Sequence, residues 1–316
     1  MFLKNRITLG ARDALAVELP FPYSLEDTLE CGQCFRYERV DKTENYIEYI
    51  IPVSDIIIDV GQRRHGELLF FDASDADFQR VIRPFFSLDT DFGRIQRDIV
   101  DRTDSEWLKS AAEYAGGIAI LKQNEWEALF SFIVSQNNNI PRIRKIIRAI
   151  SAAYGENLAE KQGLAACPLK RVDGTPCQEK CAECGICYSF PTAEAVASEP
   201  EKLLPSKPGF RYKYLTSAAS LVSEGKISLD MIAAARSYTH TVECLKQIKG
   251  VGDKVASCAA LFGFGNLDAF PVDVWMRRAI DKYFDGKLDP SALGAYAGVA
   301  QQYIFHYIRH LEGSGE

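Results

Sequence analysis

No stretch of this 316-residue chain approaches the ~18 consecutive uncharged apolar residues that a membrane span requires. The opening residues, Met1 to Arg6, show no apolar run followed by small residues, as a secretory leader would, and the expectation is a cytoplasmic protein with no membrane partner. An excess of positive charge is also missing. Lys and Arg number 37 against 43 Asp and Glu, a formal net charge of -6, which taken alone argues against a polyanionic partner. There is no internal repeat and no low-complexity tract. The nine cysteines are an odd number in a chain expected to be cytoplasmic, which speaks against a disulfide framework and for reduced thiols, some of them available to a metal.

What is present is a core-forming composition, 47% hydrophobic with three tryptophans, sufficient for one large core or two smaller ones. Two domains are expected. Residues 35–40, 46–51, 56–60 and 68–71 are β-rich runs broken by Pro52, Gly61 and Gly66, which predicts an antiparallel sheet within an N-terminal part, 1–105. Beyond Trp107 the pattern turns helical, at 126–135, 143–154, 214–222 and 255–262, so 106–316 is expected to be all helix. The fold class is α+β. Residues 165–190 interrupt the helical part with Cys, Gly and Pro and no apolar period. Charge is also uneven along the chain. Arg142, Arg144, Lys145 and Arg148 crowd one segment, Lys246, Lys249 and Lys254 another, and acidic residues gather over 72–77, so local basic faces can still meet a nucleic acid.

The most informative segment is Leu245-Lys246-Gln247-Ile248-Lys249-Gly250-Val251-Gly252-Asp253-Lys254, a helix end, a Gly-x-Gly turn and a new helix start. Gly250 and Gly252 permit the tight turn and keep side chains away from an approaching phosphate, while the N–H groups opening the next helix form an anion site. A plain helix connector would look the same. Lys254 falls in the first turn of the new helix, where the dipole's positive end and burial favour a free amine, the form that attacks carbon to give a Schiff base. Cys258 lies at i+4 on the same face. Further on, Pro271-Val272-Asp273 marks a helix start with Asp273 suited to the N-cap, and a fixed carboxylate there can also stabilise an oxocarbenium-like centre.

Through Gly-Val-Gly-Asp-Lys-Val-Ala-Ser-Cys and Pro-Val-Asp-Val the chain resembles the 8-oxoguanine DNA glycosylases of the helix-hairpin-helix superfamily. The resemblance implies a TBP-like antiparallel N-terminal domain followed by the helical glycosylase domain. It implies a monomer acting on duplex DNA with oxidised guanine, in base excision repair, with cytosine the expected base opposite. Lys254 would attack the sugar's anomeric carbon, Asp273 would support it, and the Schiff base would allow strand nicking by β-elimination, with no cofactor in the chemistry.

The resemblance extends to Ser135-Gln136-Asn137-Asn138-Asn139, with Asn137 as the wedge that fills the gap left by an extruded base. Arg142 and Arg211 carry over as readers of the opposite base, and Phe210 as the ring pushed into the stack where the family has tyrosine. Base recognition would come from the Gly32 carbonyl, which can accept from the N7–H that oxidation creates, from Gln301 at the Watson–Crick edge, and from Phe305 and Cys258 on the two ring faces. A thiolate at Cys258 would pair with Lys254. Lys249 stands where a proline is usual, and Trp275 where some relatives have histidine.

Cys167, Cys177, Cys181, Cys184 and Cys187 are the larger departure. Four of them, Cys177, Cys181, Cys184 and Cys187, suit a tetrahedral structural zinc, with Cys167 as an alternative ligand, and an iron–sulfur cluster or no metal as the other readings. Two rival functions remain. One is a monofunctional glycosylase for alkylated bases in which Asp273 activates water, and the other is a damaged-DNA-binding module without catalysis.

Overall fold

The computed structural model describes residues 2–10, 12–163 and 185–313. Six strands, β1 (Leu3–Leu9), β2 (Arg12–Glu18), β3 (Glu38–Lys42), β4 (Tyr46–Val53), β5 (Ile56–Arg63) and β6 (Leu68–Phe71), form one antiparallel sheet in the order β1-β2-β6-β5-β4-β3. Two of these strands carry no clear signal in the sequence. β1 holds two charged residues among its seven and β2 three with two alanines, and what makes them strands is the pairing of β1 with β2 and of β2 with β6.

The breakers behave differently from expectation, for local reasons. Pro52 sits inside β4, opposite Ile57 of β5. On the other side β3 pairs only as far as Ile50, so the missing proline N–H leaves no ladder bond unmade. Gly61 also lies within its strand, where a Cβ would meet the Tyr46 hydroxyl at 2.4 Å and its ring at 2.7 Å, so the position is held by glycine. The run expected at 35–40 begins only at Glu38, and Phe35 and Tyr37 are buried in the core instead.

One face of the sheet, with Leu15, Val17, Tyr49, Ile51, Ile58, Val60 and Phe70, merges into the apolar core of the helices, which includes Leu129, Phe130, Leu261 and Tyr303. On the opposite face Ile50 and Ile57 are covered by Leu158, Ala159, Ile186 and Cys187. The two flanks of the cysteine-rich stretch therefore meet behind the sheet, joined by a bridge between Asn157 and Tyr188 and by the Leu158 N–H donating to the Cys187 carbonyl at 2.8 Å. Cys167, Cys177, Cys181 and Cys184 lie outside the described residues. Cys187 is buried in the small cluster just named.

The longer helices are α1 (Phe92–Asp101), α2 (Glu106–Tyr114), α3 (Glu125–Val134), α4 (Ile140–Tyr154), α5 (Tyr212–Ser223), α6 (Tyr238–Leu245), α7 (Asp253–Phe262), α8 (Val274–Tyr283) and α9 (Ala297–Glu312). α3 is buried almost all round, from Ala128 to Val134, as a central helix must be. α7 packs on it, with Phe132 and Phe262 stacked at 5.4 Å. Among the described residues no helix is long and apolar enough to cross a membrane.

Candidate active site

The asparagine run both ends α3 and begins α4. Asn137 takes a left-handed conformation (φ 46°), which asparagine tolerates better than most residues. Asn139 caps α4, its Oδ1 accepting from the Arg142 N–H at 3.0 Å. α4 thus starts three residues earlier than apolar periodicity predicts. This turn is tied to the hairpin between α6 and α7, because the Gln136 amide donates to the Gly250 carbonyl at 3.0 Å.

The two hairpin glycines do different things. Gly250 has φ +89°, and a Cβ would fall 2.3 Å from the Tyr214 ring, so both the backbone and the packing require glycine. Gly252, the residue before α7, has ordinary backbone angles and nothing within 4 Å of where its Cβ would be. It leaves open space over the first N–H groups of α7.

Lys254, in the first turn of α7, turns toward the end of α3. Its Nζ donates to the Ser135 hydroxyl at 3.3 Å and lies 5.3 Å from the centre of the Phe132 ring. One turn on, Cys258 is buried. Burial pushes its thiol up and Asp273 adds to this, against the opposing pull of Lys254, so a neutral thiol stands there. The charge pair that a thiolate would make with Lys254 is not the resting arrangement. Asp273 is the N-cap of α8, its Oδ1 accepting from the Met276 N–H at 2.8 Å.

Lys254, Cys258 and Asp273 line one cavity of about 780 Å³ together with Gly32, Asn137, Gly250, Gly252, Gln301 and Phe305. Gly32 comes from the other end of the chain, after the short helix Leu25–Glu30. It has φ +87°, and a Cβ there would lie 3.8 Å from Phe305 and 3.4 Å from Ile140. A residue without a side chain keeps the space above Phe305 clear. Gln301 is buried on α9, and Phe305 follows one turn later on the same face.

Phe210, Arg142 and Arg211 do not line the cavity; Phe210 is 48% exposed and Arg142 is also exposed, whereas Arg211 is buried. The Arg211 guanidinium donates to the Gln136 carbonyl at 2.8 Å and to the Asn137 carbonyl at 2.9 Å. It braces the asparagine turn, with Arg142 close enough for its charge to act on it. The basic segment around Arg142 is also less open than composition suggests. Arg144 and Arg148 both donate to the Tyr37 carbonyl and pair with Glu38, and Lys246 pairs with Asp253. Sequence reasoning missed Ser135 as the partner of Lys254, and Gln302, Arg278 and Arg309 as cavity residues. Nothing in their local sequence marks them, since each acquires its position from another helix.

A mixed sheet-and-helix body with a Gly-x-Gly hairpin, and a lysine and an aspartate at one cleft beside it, defines a helix-hairpin-helix protein built around a DNA-repair type of site. A family model described as the 8-oxoguanine DNA glycosylase N-terminal domain matches residues 19–129. The N-glycosylase/DNA lyase of Saccharomyces cerevisiae is 26% identical over an alignment of 273 residues that covers 80% of this chain and 66% of the yeast protein, just under two thirds of its length. The solved structure of MBOgg1 with a low-affinity DNA ligand is 30% identical, with a TM-score of 0.79 over 98% of this chain and 99% of that one. The 8-oxoguanine glycosylase/lyase of Clostridium acetobutylicum, in complex with DNA containing cytosine opposite 8-oxoguanine, is 28% identical with a TM-score of 0.79 and 98% of each chain covered. The chain belongs to the 8-oxoguanine DNA glycosylase family.

Proposed function

We propose that this protein is a bifunctional DNA glycosylase that excises 8-oxoguanine from duplex DNA, with cytosine as the preferred opposite base, and then nicks the strand. The observation that carries the reading is the convergence of Lys254 and Asp273 on one cavity with Gly32, Gln301 and Phe305, beside a hairpin open to phosphate at Gly252.

The Lys254 amine attacks C1′ of the extruded nucleotide as the bond from C1′ to N9 breaks. The electron pair leaves with the base, which takes up a proton. The Asp273 carboxylate stabilises the positive charge that develops on the sugar. Ring opening gives the Schiff base between Nζ and C1′, and loss of a proton from C2′ expels the 3′ phosphate by β-elimination. Gln301 and the Gly32 carbonyl meet the base edge, Phe305 and the neutral Cys258 its faces. Asn137 and Phe210 enter the duplex, while Arg142 faces the orphaned base and Arg211 holds the asparagine turn in place. None of these steps calls on a cofactor.

The test is incubation with duplexes containing 8-oxoguanine opposite each of the four bases, with and without borohydride. Cutting and covalent trapping that favour cytosine are expected. Excision with no trapped adduct would transfer the chemistry to water activated by Asp273, and binding without excision would leave only a damaged-DNA-binding module.

A further inference from the structure

Gln301 and its neighbour Gln302 on α9 are both almost fully buried, 3% and 4% exposed, and both line the cavity. The Gln302 Nε2 donates to the Gln301 Oε1 at 2.8 Å. The Gln302 Oε1 is buried without a hydrogen-bond partner. Resting on the function proposed above, we infer that Gln302 is a specificity-determining positioning residue: it fixes which end of the Gln301 amide faces the base.

A glutamine is an ambiguous reader, because its amide can turn by 180° and exchange donor for acceptor. Guanine-type bases present an O6 acceptor beside an N1–H donor, and adenine-type bases present an N6 amino donor beside an N1 acceptor. A free Gln301 could match either edge by turning over. With its oxygen engaged by Gln302, Gln301 offers the cavity its amide nitrogen and the second lone pair of its oxygen. That pattern fits O6 and N1–H and opposes the adenine edge at both positions.

Turning Gln301 alone would set two amino groups against each other in a buried site. Turning both amides would restore the bond between them, but would leave the Gln302 NH2, with two unpaired donors, where one carbonyl oxygen is now buried. Buried donors without partners are rarer and costlier than an under-satisfied carbonyl. The pair therefore has one preferred orientation, and the preference is transmitted to the base.

The experiment compares single-turnover excision of 8-oxoguanine and 8-oxoadenine, each opposite cytosine, by the wild type and by Gln302→Leu and Gln302→Met, with thermal unfolding to confirm that each variant is folded. Both variants remove the hydrogen bond while keeping the volume. The ratio of the two rates is expected to fall about tenfold or more, through measurable excision of the adenine lesion. A variant that only loosens the core slows both substrates together, so an unchanged ratio in the folded variants would overturn the role of Gln302. Absence of 8-oxoguanine excision by the wild type itself would overturn the function reading, and this inference with it.

Discussion

The Lys254 amine lies 3.3 Å from the Ser135 hydroxyl, and that hydroxyl donates its own proton to the Phe132 carbonyl at 2.8 Å. Since its proton is committed, Ser135 can only accept from Nζ. Lys254→Gln is expected to abolish excision, nicking and borohydride trapping, with affinity for lesion DNA within about threefold of wild type. Ser135→Ala should slow single-turnover excision by about tenfold with little change in DNA affinity, and Ser135→Thr, which keeps the hydroxyl, should recover most of the rate. Equal rates in wild type and Ser135→Ala would remove the serine from the mechanism.

Asp273 caps α8 and, in the proposed mechanism, also stabilises the sugar, and substitution can separate the two roles. Asparagine caps helices about as well as aspartate, so Asp273→Asn should leave the unfolding free energy within about 0.5 kcal/mol while slowing excision by roughly 10²-fold. Asp273→Ala should additionally cost about 1 kcal/mol of stability through loss of the cap. Denaturant unfolding and single-turnover kinetics on the same preparations check both halves. An active Asp273→Asn would confine the residue to capping.

The hairpin glycines should respond in opposite ways. Gly250→Ala places a methyl group on the Tyr214 ring at a positive φ and is expected to destabilise the fold by about 2 kcal/mol or more. Gly252→Ala meets nothing in the free protein, so its thermal midpoint should stay near that of wild type while DNA affinity falls several-fold. A DNA affinity unaffected by Gly252→Ala would place the phosphate elsewhere.

The two arginines beside the asparagine turn also differ. Arg142 is exposed and Arg211 is buried against the Gln136 and Asn137 carbonyls. Arg142→Ala should narrow the preference for cytosine opposite the lesion without altering stability. Arg211→Ala takes a donor from the Gln136, Asn137 and Pro208 carbonyls and should cost about 1–3 kcal/mol of stability as well as activity on every pairing. Excision rates measured opposite each of the four bases, with unfolding curves, distinguish the two. A cytosine preference unchanged in Arg142→Ala would remove it from the readers.

Local chemistry was legible in the sequence. The glycine hairpin, the Asp273 cap, the turn after α3 and the ends of β6 depend on backbone freedom and hydrogen bonds within a few residues, and these are written into adjacent side chains. The tertiary structure alone decided what comes together across long separations. Ser135 meets Lys254, and Glu38 takes up Arg144 and Arg148, which composition had assigned to an open basic face. The strands β1 and β2 belong to the same category, because pairing of β2 with β6 and of β1 with β2 makes up for weak intrinsic preference. Such contacts depend on sheet register and helix packing, which place groups in three dimensions that no short window of sequence relates.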